Sequence, residues 1–395
     1  MISIYRMKRV YNIICKFILF LLIIFLSITG CQKDENNGYK YQLPETTDDG
    51  WETASLSSVG INTGNIEALI DKINSDEYTD FHGIVLVKDK KLVFEEYFPG
   101  YNSSGVYKDY KRDTLHGIAS CTKSITSCLT GIAYDKDLLQ SLDQKMYEFF
   151  PEFTDLNLNE RKRRITLKDM LTMRGGLTWD EWTYPYSDSR NSLQELWSSD
   201  NVFRYVFELP DIAEPGKEFL YNSGLPIAIG EIIRKVSGQD AEIFARETLF
   251  NALGIKDYSW IKRPDGTIQT GGGLALRLRD MAKFGQLYLN KGKWNGSQVV
   301  TENWIDQSFT NYTGSASIDN GRPNDGYGFY WWIQSWGFHG RTINSYFARG
   351  WGGQFIMVFP EINFIIVLTG GHYSGGTEQC YEMIGNHILQ SVDSN

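Results

Sequence analysis

The chain has 395 residues, enough for one large domain or two, and its 42% hydrophobic and 22% charged content is that of a globular protein rather than a disordered or fibrous one. The formal charge is −9 and no basic block runs along the chain, which excludes nucleic acid as a partner. The five histidines hold no His-Glu-x-x-His pattern and the five cysteines no metal-ligand spacing, so neither a metal nor another cofactor is implied.

Arg6, Lys8, Arg9 and Lys16 precede an apolar run from Phe17 to Leu26, followed by the small residues Ser27, Thr29 and Gly30. A basic region, a short apolar region and a small-residue cleavage site describe a secretory signal, and the run is too short to favour a permanent span. Ile28-Thr29-Gly30-Cys31 resembles a bacterial lipobox. By that resemblance residues 1–30 are a lipoprotein signal and Cys31 is the lipid attachment site, which makes the membrane a partner. Gln32-Lys33-Asp34-Glu35 resembles the signal that exports some lipoproteins to the outer membrane and its surface. The expected location is therefore the cell envelope. Residues 31–52 read as a polar tether. Loss of residues 1–30, which hold four basic and no acidic residues, takes the formal charge to −13.

Thr63 to Ser75 is predicted helical, with Ile66, Leu69, Ile70 and Ile73 on one stripe and Asn62 or Thr63 as cap. A hairpin follows, with Gly83–Val87 and Leu92–Phe98 joined by a polar turn. A helix begins near Ser120. An all-helical stretch is expected from Thr166 to about Val236, its first helix closing at Arg174-Gly175-Gly176. Two more helices read at 224–236 and 241–252, broken by Ser237-Gly238-Gln239, and another at Arg279–Leu289. Gly353–Pro360 and Asn363–Thr369 form a second hairpin, and Glu378–Val392 a final helix. Strands at both ends with helices between them predict an α+β fold: an antiparallel sheet flanked by helices, with a mostly helical subdomain at about 120–270 inserted in one domain spanning 53–395. No pattern sets an oligomeric state.

Three stretches carry candidate chemistry. In Ser120-Cys121-Thr122-Lys123 a serine at a helix start and a lysine three residues on share one face. The hydroxyl needs a base, and a lysine serves only when burial or a nearby cation lowers its pKa. The competing reading is a helix N-cap followed by a solvated lysine. The flank of Ile125, Leu129, Ile132 and Ala133 among small residues suits a helix buried on most sides, where that lysine is not idle. In Tyr221-Asn222-Ser223, the Tyr221 phenol relays a proton only if burial or a cation such as Lys123 tunes it, and Ser223 stands two residues on. In Ala348-Arg349-Gly350-Trp351-Gly352-Gly353, the glycines let the backbone approach a ligand. An N–H there and the Ser120 N–H are the two halves of a candidate oxyanion hole. Cys121 and Cys128 lie seven residues apart, about 10 Å of helical rise, too far to bridge.

With these in order, the chain resembles the serine β-lactamase and penicillin-binding-protein superfamily, on the class C β-lactamase-related branch of esterases, D-aminopeptidases and nylon-oligomer hydrolases. Asp169–Leu177, Arg279–Gly285 and Tyr327–Trp332 support the resemblance, which covers about residues 55–390. It implies a β-lactamase/transpeptidase-like fold with Ser120 as acylated nucleophile, Lys123 as its base and Tyr221 as proton shuttle. Gly350 and Trp351 fall at the third motif and its oxyanion N–H. Two departures stand out. Ser223 replaces the asparagine of the tyrosine motif, and Ala348-Arg349-Gly350 lacks the leading Lys or His. The expectation is a serine hydrolase that cleaves an ester or amide of a small-molecule or peptide-like acyl substrate outside the cytoplasm. The alternatives are a cell-wall D,D-peptidase or weak β-lactamase on the same machinery, and a surface binding protein without turnover. Trp179, Trp182, Tyr184 and Tyr186 form an aromatic loop after the Gly175-Gly176 turn, which reads equally as the lining of a cleft and as ordinary packing.

Overall fold

Apolar runs bounded by turn residues build one eight-stranded sheet. The computed structural model describes residues 38–394 apart from 157, 315 and 319–321; the expected signal and Cys31 lie outside the described residues. The sheet strands are Glu52–Thr53 (β1), Phe81–Lys88 (β2), Lys91–Tyr97 (β3), Gly326–Tyr327 (β4), Trp332–Phe338 (β5), Arg341–Gly350 (β6), Gln354–Phe359 (β7) and Phe364–Gly370 (β8). Their order is β1-β3-β2-β8-β7-β6-β5-β4. All pairs are antiparallel except β1 with β3. The two hairpins read from sequence meet in the middle, where Val85 faces Val367 and Leu86 faces Ile366. Every residue of β7 and β8 is buried, so helices must cover both faces.

The principal helices are Thr63–Asn74 (α1), Cys121–Asp135 (α2), Gly224–Ser237 (α3) and Leu278–Leu289 (α4). Asn62 caps α1 by accepting from the Asn65 N–H. On one face of the sheet, Ile356 and Ile365 pack against Gly285 of α4. On the other, Phe355 and Trp336 meet Tyr381 of the C-terminal helix, at ring separations of 5.5 and 6.1 Å. Burying one such aliphatic or aromatic side chain is worth about 1.5–3 kcal/mol. Arg279, near the start of α4, ties the 45–53 segment down. Its guanidinium is paired with Glu95 and, at 2.9 Å, with Asp49, and its carbonyl accepts from Trp51 Nε1.

The fold class is the one expected, α+β with an antiparallel sheet. The all-helical stretch expected over 166–236 is only partly helical. Leu167–Leu171, Ser192–Ser198 and Val202–Glu208 are short helices, and 172–191 and 209–223 are largely irregular. The first helix ends at Thr172, ahead of Met173 at φ +56°, not at the glycine pair. The two irregular segments satisfy each other's backbone instead. Thr178 N–H donates to the Pro210 carbonyl at 2.8 Å and Ile212 N–H to that of Gly176 at 2.8 Å. Gly176, at φ +69°, lies so close to the Ala213 carbonyl that a Cβ there would stand 2.3 Å from its oxygen. These loops frame the site described below.

A histidine pair is buried where β2 meets the strand before α2. His116 Nδ1 lies 2.9 Å from the Gly117 carbonyl, which can only accept, so Nδ1 carries the proton and Nε2 is bare. His82 Nδ1 then donates to that Nε2 at 2.9 Å. Burial, reinforced by the charges His116 and His372 would carry, lowers the His82 pKa from 6.5 to about 3; burial lowers that of His116 to about 4. Both rings are therefore held neutral. Their contribution to stability is complete above pH 6.5 and is lost progressively as pH falls from 6.5 to about 3. The urea midpoint of the protein should drop across this window, and less steeply in His116→Gln, which cannot charge; equal slopes would show that the pair does not govern acid lability.

Candidate active site

Ser120 stands at the mouth of α2, with Ala119 before it in the left-handed region at φ +45°. The turn lifts the serine out of the strand and starts the helix in one step. Ser120 itself has helical dihedrals and its side chain caps no helix N–H. Its hydroxyl instead lies 2.8 Å from Lys123 Nζ. This geometry excludes the N-cap reading. The helix behind it is buried throughout 121–133, and its small polar residues are satisfied locally: Ser124 Oγ donates to the Tyr330 carbonyl and Thr126 Oγ1 to that of Thr270.

Lys123 is 2% exposed. Its Nζ donates to the Gly271 carbonyl at 2.6 Å, which leaves Ser120 as its other polar neighbour in the described structure. Burial lowers its pKa from 10.5 to about 8, against the opposing charges of Glu181 and Cys121. Lys123 Nζ also lies 4.9 Å from the centre of the Tyr221 ring. Tyr221 is buried, with its ring stacked on Trp332 at 5.7 Å and 17°. Its pKa is raised well above 10, first by burial and then by Tyr327, Glu181 and Tyr186, while the Ser120 hydroxyl acts the other way. Of the two expected ways of tuning Tyr221, burial or a cation, the structure favours the first. Burial dominates, and the phenol is held protonated.

Gly350, at the end of β6, is a close-approach glycine. A Cβ there would lie 2.3 Å from the Ile118 carbonyl oxygen and 3.1 Å from Ala119 Cβ. The strand end is therefore pressed against the residues preceding the serine, and Trp351 follows beside it. Neither the Ser120 N–H nor the Trp351 N–H has a hydrogen-bond partner among the described residues. Ser120 and Trp351 line the same cavity, and two vacant donors there are what an oxyanion hole requires. The Trp351 indole is held by Tyr373, with its ring 4.8 Å away and Nε1 donating to the Tyr373 carbonyl.

Ser223 was expected on the substrate side and is not there. It is fully buried, and its hydroxyl donates to Glu181 Oε1 at 2.9 Å while its N–H donates to Oε2 at 3.2 Å. Glu181 also accepts from Trp179 Nε1 and from the Tyr186 hydroxyl at 3.2 Å. This buried carboxylate, 2% exposed, is a site residue that the sequence reading missed. The signal was present: an acid between Trp179 and Trp182 in the aromatic loop. Ser120, Glu181, Tyr221, Gly350 and Trp351 all line a cavity of about 530 Å³, together with Trp182, Tyr184 and Tyr186 of that loop. Arg349 pairs with Phe355 across the sheet, and its guanidinium lies 5.9 Å over the Tyr381 ring and 3.5 Å from Thr377 Oγ1, at the cavity's far wall. Among the described residues no group of three or more His, Cys, Asp and Glu is placed to hold a metal ion.

A serine bonded to a buried lysine, with a tyrosine across and two free N–H groups above, on a sheet closed from both ends of the chain, is the arrangement of a serine acyl-transfer enzyme. The sequence matches the beta-lactamase family over residues 76–374, and the chain belongs to that family of serine hydrolases. It is 26% identical over 280 residues to the 6-aminohexanoate-dimer hydrolase of Paenarthrobacter ureafaciens, covering 65% of this chain and 66% of that one. It is also 26% identical over 168 residues to the monacolin J acid methylbutanoyltransferase of Aspergillus terreus, a match of 39% of this chain that spans only 40% of the transferase's length. A family VIII carboxylesterase has the same fold, with a TM-score of 0.65 at 14% identity over 88% of this chain and 99% of the esterase.

The Lys123 amine fixes a pH dependence. The rate constant kcat/KM for an activated ester should rise with pH and level off above about 8, as the amine becomes neutral. Glu181 favours the charged amine, so Glu181→Gln should move that limb to lower pH; a limb that stays put or moves upward would remove Glu181 from electrostatic contact with Lys123.

Proposed function

We propose that the chain hydrolyses an ester or amide through an acyl-enzyme at Ser120. The observation that carries this reading is the 2.8 Å contact between the Ser120 hydroxyl and a lysine amine depressed to about 8. The neutral amine takes the hydroxyl proton, and Oγ bonds to the substrate's carbonyl carbon. The carbonyl oxygen, now negative, accepts from the Ser120 and Trp351 N–H groups. As the bond to the leaving oxygen or nitrogen breaks, the Tyr221 phenol gives that atom a proton and is refilled from the Lys123 ammonium. Deacylation runs the same path with water as the attacking group. The raised phenol pKa supports a proton donor rather than a resting phenolate base. A β-lactamase or D,D-peptidase reading is disfavoured by Ala348, which stands where the family's carboxylate-binding cation would be.

Intact-mass spectrometry of the purified protein after treatment with p-nitrophenyl acetate or a fluorophosphonate should show one adduct, mapped to Ser120. Ser120→Ala should abolish it and all turnover. Lys123→Ala and Tyr221→Phe should each slow acylation by about 10²–10⁴-fold, the usual range for acid–base groups. A fluorescent penicillin should label Ser120 weakly; labelling as fast as that by the fluorophosphonate would reassign the site to β-lactams and peptides. A folded protein that gives no adduct with either reagent would support the binding-protein reading.

The site is further proposed to act in the cell envelope, on a lipid anchor at Cys31. The basic and apolar leader and the Ile28-Thr29-Gly30-Cys31 sequence support this. Among the described residues no helix is long and apolar enough to cross a membrane. Cells fed an alkyne-labelled fatty acid should tag the wild-type protein and not Cys31→Ser; equal tagging of both would remove the anchor from Cys31.

A further inference from the structure

Ser120 opens onto two cavities, not one. Besides the large cavity, a second of about 240 Å³ is bounded by Ala119, Leu193, Trp197, Ile261 and Gly272. Three residues line both: Ser120, Tyr186 and Trp351. The Tyr186 and Trp351 rings stand 5.2 Å apart at 59°, forming a ridge between the two lobes beside the serine. The lobes differ in chemistry. The larger contains Glu181, Arg349, His372 and Glu378. The smaller has no charged side chain among the described residues. Each of its two amides has one end engaged, Gln194 Nε2 donating to the Ser198 hydroxyl and Gln269 Oε1 accepting from the Gly271 N–H. Ile261, on its rim, is 58% exposed, an apolar side chain left in water at the mouth of an apolar hollow.

The direction of the substrate follows from the position of the proton donor. A carbonyl carbon attacked by Ser120 carries three groups: the oxygen, the leaving group and the acyl chain. The oxygen belongs with the Ser120 and Trp351 N–H groups. The leaving atom must come within reach of Tyr221, and Tyr221 lines the larger lobe and not the smaller. The acyl chain is then left the smaller lobe. We propose that the substrate carries a short, uncharged apolar acyl chain seated between Trp197, Ile261 and Gly272, joined to a bulkier and more polar alcohol or amine seated in the larger lobe. This deepens the acyl-enzyme reading and rests on it. The bond made and the bond broken are those already described; the inference assigns a place to each half of the substrate.

Gly272 offers a direct test. A Cβ built there meets nothing nearer than Ala119, at 3.9 Å, and Ala119 and Gly272 both line the lobe, so a side chain has room at the lobe's wall. The measurement is kcat/KM, on the full-length protein, for p-nitrophenyl acetate, butyrate, hexanoate and decanoate. Burying a methylene is worth about fourfold at most, so the wild type should gain roughly two- to fourfold per methylene up to hexanoate and nothing further at decanoate. Gly272→Leu should invert the order and make acetate the best of the series. Ile261→Asp, at an exposed position that does not threaten folding, should cost hexanoate at least tenfold relative to acetate. A flat wild-type profile with Ser120 still acylated by every ester would overturn the lobe assignment and leave the acyl-enzyme reading intact. An unchanged profile in both variants would overturn it likewise. Failure of every ester to acylate Ser120 would overturn both.

Discussion

The structure turns on one buried amine. Lys123 is placed where water cannot solvate its charge, and the shift from 10.5 to about 8 puts roughly 3 kcal/mol against the ammonium relative to the neutral form. That penalty is tolerable only because the amine has fixed partners, the Gly271 carbonyl at 2.6 Å and the Ser120 hydroxyl at 2.8 Å. Each partner in turn demands local geometry. The Gly271 carbonyl is held because Thr126 of α2 bonds the adjacent Thr270 carbonyl. The serine is held because Ala119 takes a left-handed conformation and because Gly350 lets β6 come against the Ile118 carbonyl. Helix, strand end and glycine segment thus converge on one nitrogen.

Glu181 is the counterpart of that nitrogen. Four donors from Trp179, Tyr186 and Ser223 surround its carboxylate, enough to keep a buried charge solvated by the protein itself. The site therefore sets a hydrogen-bonded carboxylate against a tunable base, with a neutral phenol also in the cavity wall. Ser223 explains why the acid can be there. An asparagine at this position would bring a longer side chain and an amide where a short hydroxyl now meets the carboxylate. The hydroxyl shortens residue 223 and leaves room for a group that arrives from 42 residues earlier in the chain.

Much of this was legible in the sequence, for reasons of spacing. A three-residue separation on a helix brings Ser120 and Lys123 together whatever surrounds them, and period-two apolar runs gave both central hairpins. What escaped was set by tertiary contact. The strands Trp332–Phe338 and Arg341–Gly350 turn at His339 and Gly340, both at positive φ, 44° and 81°. That is a two-residue hairpin turn with only half of its usual Asn-Gly signature, and the many polar residues of both strands mask the alternation. The 172–191 and 209–223 segments carry the breakers Gly175, Gly176, Pro185, Pro210, Pro215 and Gly216, which the helical expectation underweighted, and they bond each other, which no local window reports. Glu181 was hidden for the same reason: its partners Trp179 and Tyr186 are local, yet the one that places it in the site, Ser223, is not.

Strand alternation also settles where recognition cannot come from. Ala348 pairs with Ile356, on the face covered by α4, whereas Arg349 pairs with Phe355, and both of these meet Tyr381 on the opposite face. Successive residues of a strand cannot share a face, so Arg349 does not inherit the place of its neighbour by being a cation one position away. The position that faces the serine's helix is occupied by a methyl group. With no charge at that position, the groups beside the serine are the two N–H donors, the aromatic side chains of the 182–186 loop and the glycine segment at 271–273, while Arg349 stands apart on the far wall of the larger lobe. None of the groups beside the serine selects for an anion, and all of them suit a neutral carbonyl compound gripped by its shape.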